Sequence, residues 1–189
     1  MFVDASALAA ILTNESDAQA LVARLQNYRK RTTSPLAVWE AALAVARIMK
    51  LPLSQASAAV EDYLKLAGIT VIPVAPQTRA LALDAYERYG KSRHPAALNF
   101  GDCFAYACAR HEGVPLLYKG DDFSRTTLDR LTHGSKARSV VVYCHPDCWL
   151  SWNAAKRAVS FGYRHVYWYP DGIEGWQQAG KSVASTLAQ

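Results

Sequence analysis

Short apolar runs alternating with longer helical stretches constrain what this chain can fold into more than any other feature. The runs are Met1 to Val3, Ile69 to Val74, Pro115 to Tyr118, Val140 to Tyr143 and His165 to Trp168. Each is too short and too apolar for a surface helix, so each is expected to be a strand. Between them, Pro35 to Met49, Ser54 to Ala67 and Gln77 to Tyr89 follow a capping residue or a Pro and are expected to be helices. This alternation predicts an α/β fold with a mostly parallel sheet, helices on both faces and a ligand site at the carboxyl ends of the strands.

Four acids fall where such a fold would gather them. Asp4 closes Met1-Phe2-Val3 and precedes the helical stretch Ala7 to Leu12. Glu40 lies in the Ala-rich helix from Pro35, among Ala, Leu, Val and Trp, where a carboxylate needs a partner or a cation. Asp102 follows Asn99-Phe100-Gly101 in the first turn of another helix, and Asp121 follows Leu116-Leu117-Tyr118-Lys119-Gly120. Taken singly, an acid at a helix start is a cap and one after a strand is a turn residue. Taken together they repel one another, and a protein keeps such a group only when a cation offsets the charge. Oxygen-only ligands select hard ions, so Mg²⁺ or Mn²⁺ is the expected cofactor.

The segments that carry these acids resemble a known family. Met-Phe-Val-Asp-Ala-Ser-Ala-Leu at the start, Trp39-Glu40 opening a helix, the stretch Gly90 to Ala107 and Leu116 to Phe123 are similar to PIN-domain toxins of VapC type, over about residues 1–127. The resemblance implies a PIN-like three-layer fold and a metal-dependent endoribonuclease acting on structured RNA such as transfer RNA. It also implies a VapB-type antitoxin that holds the nuclease inactive, and a homodimer. Carried over by position, Asp4, Glu40, Asp102 and Asp121 match the family's catalytic and metal-binding acids. Ser6 matches a polar residue beside them, and Asp122 is the neighbour that competes with Asp121 for the fourth place.

Charge agrees with an RNA partner: 21 Lys and Arg stand against 16 Asp and Glu, for a formal net charge of +5. Since the acids include the proposed pocket, the remaining surface is more basic than the total. Candidate phosphate contacts are Arg29-Lys30-Arg31 and, just ahead of Asp102, Lys91, Arg93 and His94. No signal peptide precedes the first strand and no apolar run approaches the roughly 20 residues needed to span a bilayer, so a cytoplasmic location without a membrane partner is expected. The four Cys are expected to be reduced thiols, with Cys103 and Cys108 as small core residues.

Beyond Thr127 the composition changes, and four of the five Trp residues lie there. The expected organisation is a nuclease unit over 1–127, a polar linker over 128–138 and a second piece over 139–189. In that piece the strand Val140 to Tyr143 ends at Cys144, followed by the loop His145-Pro146-Asp147-Cys148-Trp149 and a helix from Ser151. Amides at a helix start lower the pKa of a Cys beside them. This stretch resembles the second half of a rhodanese-like domain with a Cys-x-x-x-Cys-Trp loop, an incomplete β-loop-α-β appendage in which Cys144 would carry sulfur and Cys148 would resolve it. Three functions are therefore in view: a metal-dependent ribonuclease toxin, a sulfurtransferase or sulfur carrier acting through Cys144, and a non-catalytic interaction protein.

Overall fold

A computed structural model describes residues 1–120, 122–146 and 149–183. The chain divides into two compact units, Met1–Asp122 and Phe123–Gln189.

The first unit is built on four parallel strands, β1 (Phe2–Val3), β2 (Arg31–Thr33), β3 (Ile69–Val71) and β4 (Leu116–Leu117), in the order β3-β2-β1-β4. β1 is central: Phe2 is in register with Thr32 on one side and Leu116 on the other. Its helices are α1 (Ala5–Leu12), α2 (Ala18–Gln26), α3 (Pro35–Met49), α4 (Leu53–Leu66), α5 (Thr78–Tyr89) and α6 (Phe100–His111). Successive strand residues face opposite sides of a sheet. Val3, Ile69 and Leu117 join one core cluster with Leu8 of α1, Leu21 and Leu25 of α2, Val45 of α3, and Val60 and Leu64 of α4. Phe2, also fully buried, turns to the other side, and α6 packs against β1 and β4 with α5 along it. This is the three-layer α/β architecture expected from the alternation.

Sequence expectation and structure differ at three places here. β2 was not expected, because Arg31-Thr32-Thr33 contains no apolar run; its β-branched threonines nevertheless suit an inner strand and are buried. Thr33 Oγ1 satisfies itself by donating to the Val3 carbonyl at 2.8 Å. β3 stops at Val71 rather than Val74: Ile72 still donates to the Thr33 carbonyl, but Pro73 has no N–H to continue the ladder. The cluster Arg29-Lys30-Arg31 leads into β2, so it lies at the amino end of the sheet, away from the strands' carboxyl ends. There Arg31 donates to the Tyr28 and Ala67 carbonyls and Lys30 pairs with Glu112 at 3.1 Å.

The second unit holds α7 (Asp122–Thr132), β5 (Val140–Val142), α8 (Trp149–Ser160), β6 (Val166–Trp168) and α9 (Gly172–Gln178), with β5 and β6 paired in parallel. Ala158, Phe161 and Tyr163 form its core with Leu128, Val140 and Val166 against them. Asp129 of α7 accepts from both Lys136 Nζ, at 2.5 Å, and the Tyr163 hydroxyl, which also meets Thr132 Oγ1 at 3.0 Å. Residues 128–138, read from the sequence as a linker, thus comprise the last turns of α7 and a segment that Lys136 ties back to it. Among the described residues, no helix is long and apolar enough to cross a membrane.

Candidate active site

Because β1, β2 and β4 run in parallel, the residues that follow them emerge on one edge of the sheet. Asp4 follows β1 directly and caps α1, its Oδ2 accepting from the Ser6 N–H at 3.0 Å and from the Ser6 hydroxyl. Ser6 Oγ in turn accepts from the Lys119 N–H at 3.0 Å, so the segment after β4 is fastened to the first turn of α1. The Lys119 ammonium pairs with Glu15. After β2, Ser34 caps α3 through Ala37 N–H at 3.2 Å, and Pro35 fills the first helical position, where no N–H is needed. Glu40 then lies in the second turn of α3.

α6 supplies the third acid by a different device. Asn99 and Asp102 form a reciprocal capping box: Asp102 N–H donates to Asn99 Oδ1 at 3.0 Å and Asn99 N–H to Asp102 Oδ2 at 2.8 Å. Between them, Gly101 permits the close approach of α6 to α3. A Cβ built on Gly101 would lie 3.0 Å from Glu40 Cδ and overlap its carboxylate.

Asp4, Glu40 and Asp102 line one cleft of about 390 Å³ together with Ser6, Asn99 and, on α3, Leu43, Ala44 and Arg47. Asp4 is only 3 % exposed. Burial holds its carboxyl above the usual carboxylate range, opposed by the hydrogen bonds from Ser6. Glu40 is also raised, first by burial and then by the charges of Asp4 and Asp102. Carboxylate oxygens are the donors a hard divalent cation prefers, and its charge would offset both the burial and the repulsion that act on Glu40. Among the described residues, however, no three acidic, His or Cys side chains, these three included, stand close enough together to hold a metal ion as they are placed here. Asp121, the expected fourth acid, lies outside the described residues, and Asp122 begins α7.

The other expected site residues are placed differently. Lys91, Arg93 and His94 occupy the segment between α5 and α6 and do not line the acid cleft. Arg93 pairs with Glu87 at 2.9 Å, and His94 Nδ1 accepts from the Ala96 N–H at 3.0 Å while its ring sits edge-on to Tyr89. Cys103 and Cys108 are buried in α6, where burial pushes both thiols up to about 11, as suits small core residues. In the second unit, Cys144 follows β5, and its carbonyl accepts from Ile173 N–H at 2.8 Å. Gly172, at φ +67°, lets α9 lie against that loop, since a Cβ there would come within 2.7 Å of His145 Cα. Cys148 lies outside the described residues. Asn99 and Arg47 are cleft residues that the sequence reading passed over. For Asn99 the signal was the Asn-x-x-Asp spacing of a capping box, whereas Arg47, alone late in an Ala-rich helix, carried none.

A raised native pKa means that the folded, metal-free protein binds a proton more tightly at Asp4 and Glu40 than the unfolded chain does. Their contribution to stability is therefore favourable on the acid side and is lost as pH rises through the raised values. Asp4→Asn keeps the Ser6 hydrogen bonds and removes the charge. Melting curves of metal-free protein at pH 7 should show a Tm higher by a few degrees (about 2–4 °C per kcal/mol), with less dependence on pH and a smaller response to Mg²⁺. A lower Tm in the variant would mean that the buried carboxylate is net stabilising without a cation.

Comparison with known proteins agrees with this architecture. Residues 1–128 match the PIN domain family and residues 83–179 match the Rhodanese-like domain. The second match begins inside α5, so its residues 83–122 fold as part of the first unit and only the remainder belongs to the second. VapC ribonuclease R02377 of Rhizobium meliloti is 39% identical over 139 residues, covering 67% of this chain and 98% of its own. Ribonuclease VapC of Mycolicibacterium smegmatis is 39% identical over 126 residues, covering 67% and 95%. The crystal structure of Mycobacterium tuberculosis VapC20, described as a sarcin-ricin loop cleaving toxin, superposes with a TM-score of 0.52 at 20% identity. It covers 66% of this chain and 93% of that one, a likeness of fold. With a three-layer sheet, an acid cleft at its carboxyl edge and relatives matched over nearly their whole length, the chain belongs to the PIN-domain family of VapC ribonucleases, with rhodanese-like sequence over residues 83–179.

Proposed function

We propose that the chain is a divalent-metal-dependent endoribonuclease, the toxin of a VapBC-type pair, which hydrolyses phosphodiester bonds in structured RNA. The observation that carries this reading is the convergence of Asp4, Glu40 and Asp102 on one cleft, where Asp4 is raised by burial and Glu40 by burial and then by the charges of the other two. Asp121 is the fourth acid of the same site, with Asp122 beside it, and Mg²⁺ or Mn²⁺ is the cofactor. A VapB-type antitoxin covers the site in the resting state, and two copies pair as a homodimer.

The residues divide the work by how each is held. Asp4, held by Ser6, and Asp102, held in its capping box, are oriented by hydrogen bonds and would serve as ligands. Glu40 reaches the cleft on a longer side chain, which suits it to orient an attacking water and accept its proton. Asp4 and Asp102 would hold the divalent cation, which when bound would offset the negative charge that grows on the attacked phosphate and make water more acidic. Ser6 keeps Asp4 oriented as charge redistributes.

Purified protein freed of antitoxin should cleave a structured RNA only with Mg²⁺ or Mn²⁺ present. Asp4→Ala and Asp102→Ala should each lower the rate by about 100-fold or more, in the range that loss of an electrostatic catalytic group produces. Robust cleavage in EDTA, or activity retained in both variants, would exclude the mechanism. Gly101→Ala is a subtler check: its methyl displaces the Glu40 carboxylate while leaving the fold intact. Its kcat should fall by about 10- to 100-fold with an unchanged far-ultraviolet spectrum, and wild-type kcat would remove Glu40 from the chemistry.

A further inference from the structure

A polyanion entering this cleft meets three carboxylates, and one cation cannot offset both the acids and every phosphate of the strand. A single basic side chain lines the same cleft among the described residues, Arg47. It shares the α3 stripe with Glu40, Leu43 and Ala44, all cleft residues, at spacings that place them on one helix face. Seven residues correspond to about 10 Å along the axis. Side chains on a helix lean toward its amino end, so Arg47 covers the turn of α3 on the Glu40 side of its own Cα and lines the cleft there. Arg47 is exposed, and no carboxylate is paired with it among the described residues. An exposed cation beside an acid cluster, left without a salt bridge, is available to an anion from outside.

We infer that Arg47 anchors a phosphate of the RNA strand flanking the scissile one, setting the register in which the strand crosses the acids. The guanidinium fork matches two phosphate oxygens at once, which a lysine cannot reproduce in geometry although it supplies the charge. The inference rests on the ribonuclease reading above and assigns the binding contact that the acids alone cannot make. Arg47 touches a part of the substrate that does not react, so its contribution belongs to binding rather than to the chemical step.

The test separates the two claims. Binding of a fluorescein-labelled RNA hairpin is followed by anisotropy from about 50 to about 200 mM salt, using full-length protein with Asp102→Asn to suppress turnover, alone and with Arg47→Ala, Arg47→Lys or Arg47→Glu. Loss of one phosphate contact should flatten the slope of log affinity against log salt by about 0.7–0.9. Arg47→Ala should weaken binding about tenfold at low salt, Arg47→Lys should keep the slope, and Arg47→Glu should be weakest. In otherwise active protein, Arg47→Ala should raise KM about tenfold with kcat within about twofold. An unchanged slope and KM, or a fall in kcat at constant KM, would overturn the role of Arg47 while leaving the ribonuclease standing. Arg47-dependent binding in a protein that cleaves no RNA would retain the contact and remove the ribonuclease.

Discussion

The parallel pairing of β1 between β2 and β4 is the constraint on which everything in the first unit depends. Three strands running the same way deliver Asp4, the Ser34 cap of α3 and Lys119 to one edge, and a slip of one residue would turn Val3 out of its core. The register is held by side chains as well as by the ladder. Thr33 bonds across to the Val3 carbonyl, and Ser6 joins the turn after β1 to the segment after β4. Ser6 also lines the acid cleft and bonds Asp4, so the bond that fastens the sheet edge also sets the position of one carboxylate.

Local structure and chemistry use the same atoms here. Asp4 is the cap of α1, and Asp102 is half of the capping box of α6. A cap favours a carboxylate because the helix amino end is positive. That preference offsets part of the repulsion which would otherwise keep three acids apart. Glu40, raised first by burial and then by the charges of Asp4 and Asp102, is where repulsion remains, an electrostatic demand that a divalent cation can meet. Gly101 belongs to the same economy of space, because any larger residue would claim the volume of the Glu40 carboxylate.

Much of this was legible in the sequence, for identifiable reasons. The apolar run before Asp4, the Ser-Pro start of α3 and the Asn-x-x-Asp start of α6 are local signals, and each element formed where its signal stood. β2 was hidden because an inner strand can be polar when a threonine such as Thr33 bonds inward, and because its first residue, Arg31, closes the basic cluster Arg29-Lys30-Arg31. Its true position puts Arg29 to Arg31 at the wrong end of the sheet for the cleft. Arg47 was missed because a lone Arg late in an Ala-rich helix is indistinguishable from a solvated one until the packing of α6 against α3 creates the cleft. In the second unit the strands before and after α8 were visible as Val-rich and aromatic runs. α7 was not, because its polar sequence buries only scattered residues such as Phe123 and Thr126. A parallel pair with one small core cluster is a modest structure, and the charged hub of Asp129, Lys136 and Tyr163 is what joins α7 to the segments on either side of α8.

The central claim is that the acids at the carboxyl edge form one cation site. Anomalous diffraction from crystals of the full chain soaked in Mn²⁺ tests it most directly. The account predicts a peak in the cleft, within about 2.5 Å of carboxylate oxygens of Asp4 and Asp102, which disappears in Asp4→Asn. A protein saturated with Mn²⁺ whose only peaks lie elsewhere would contradict it.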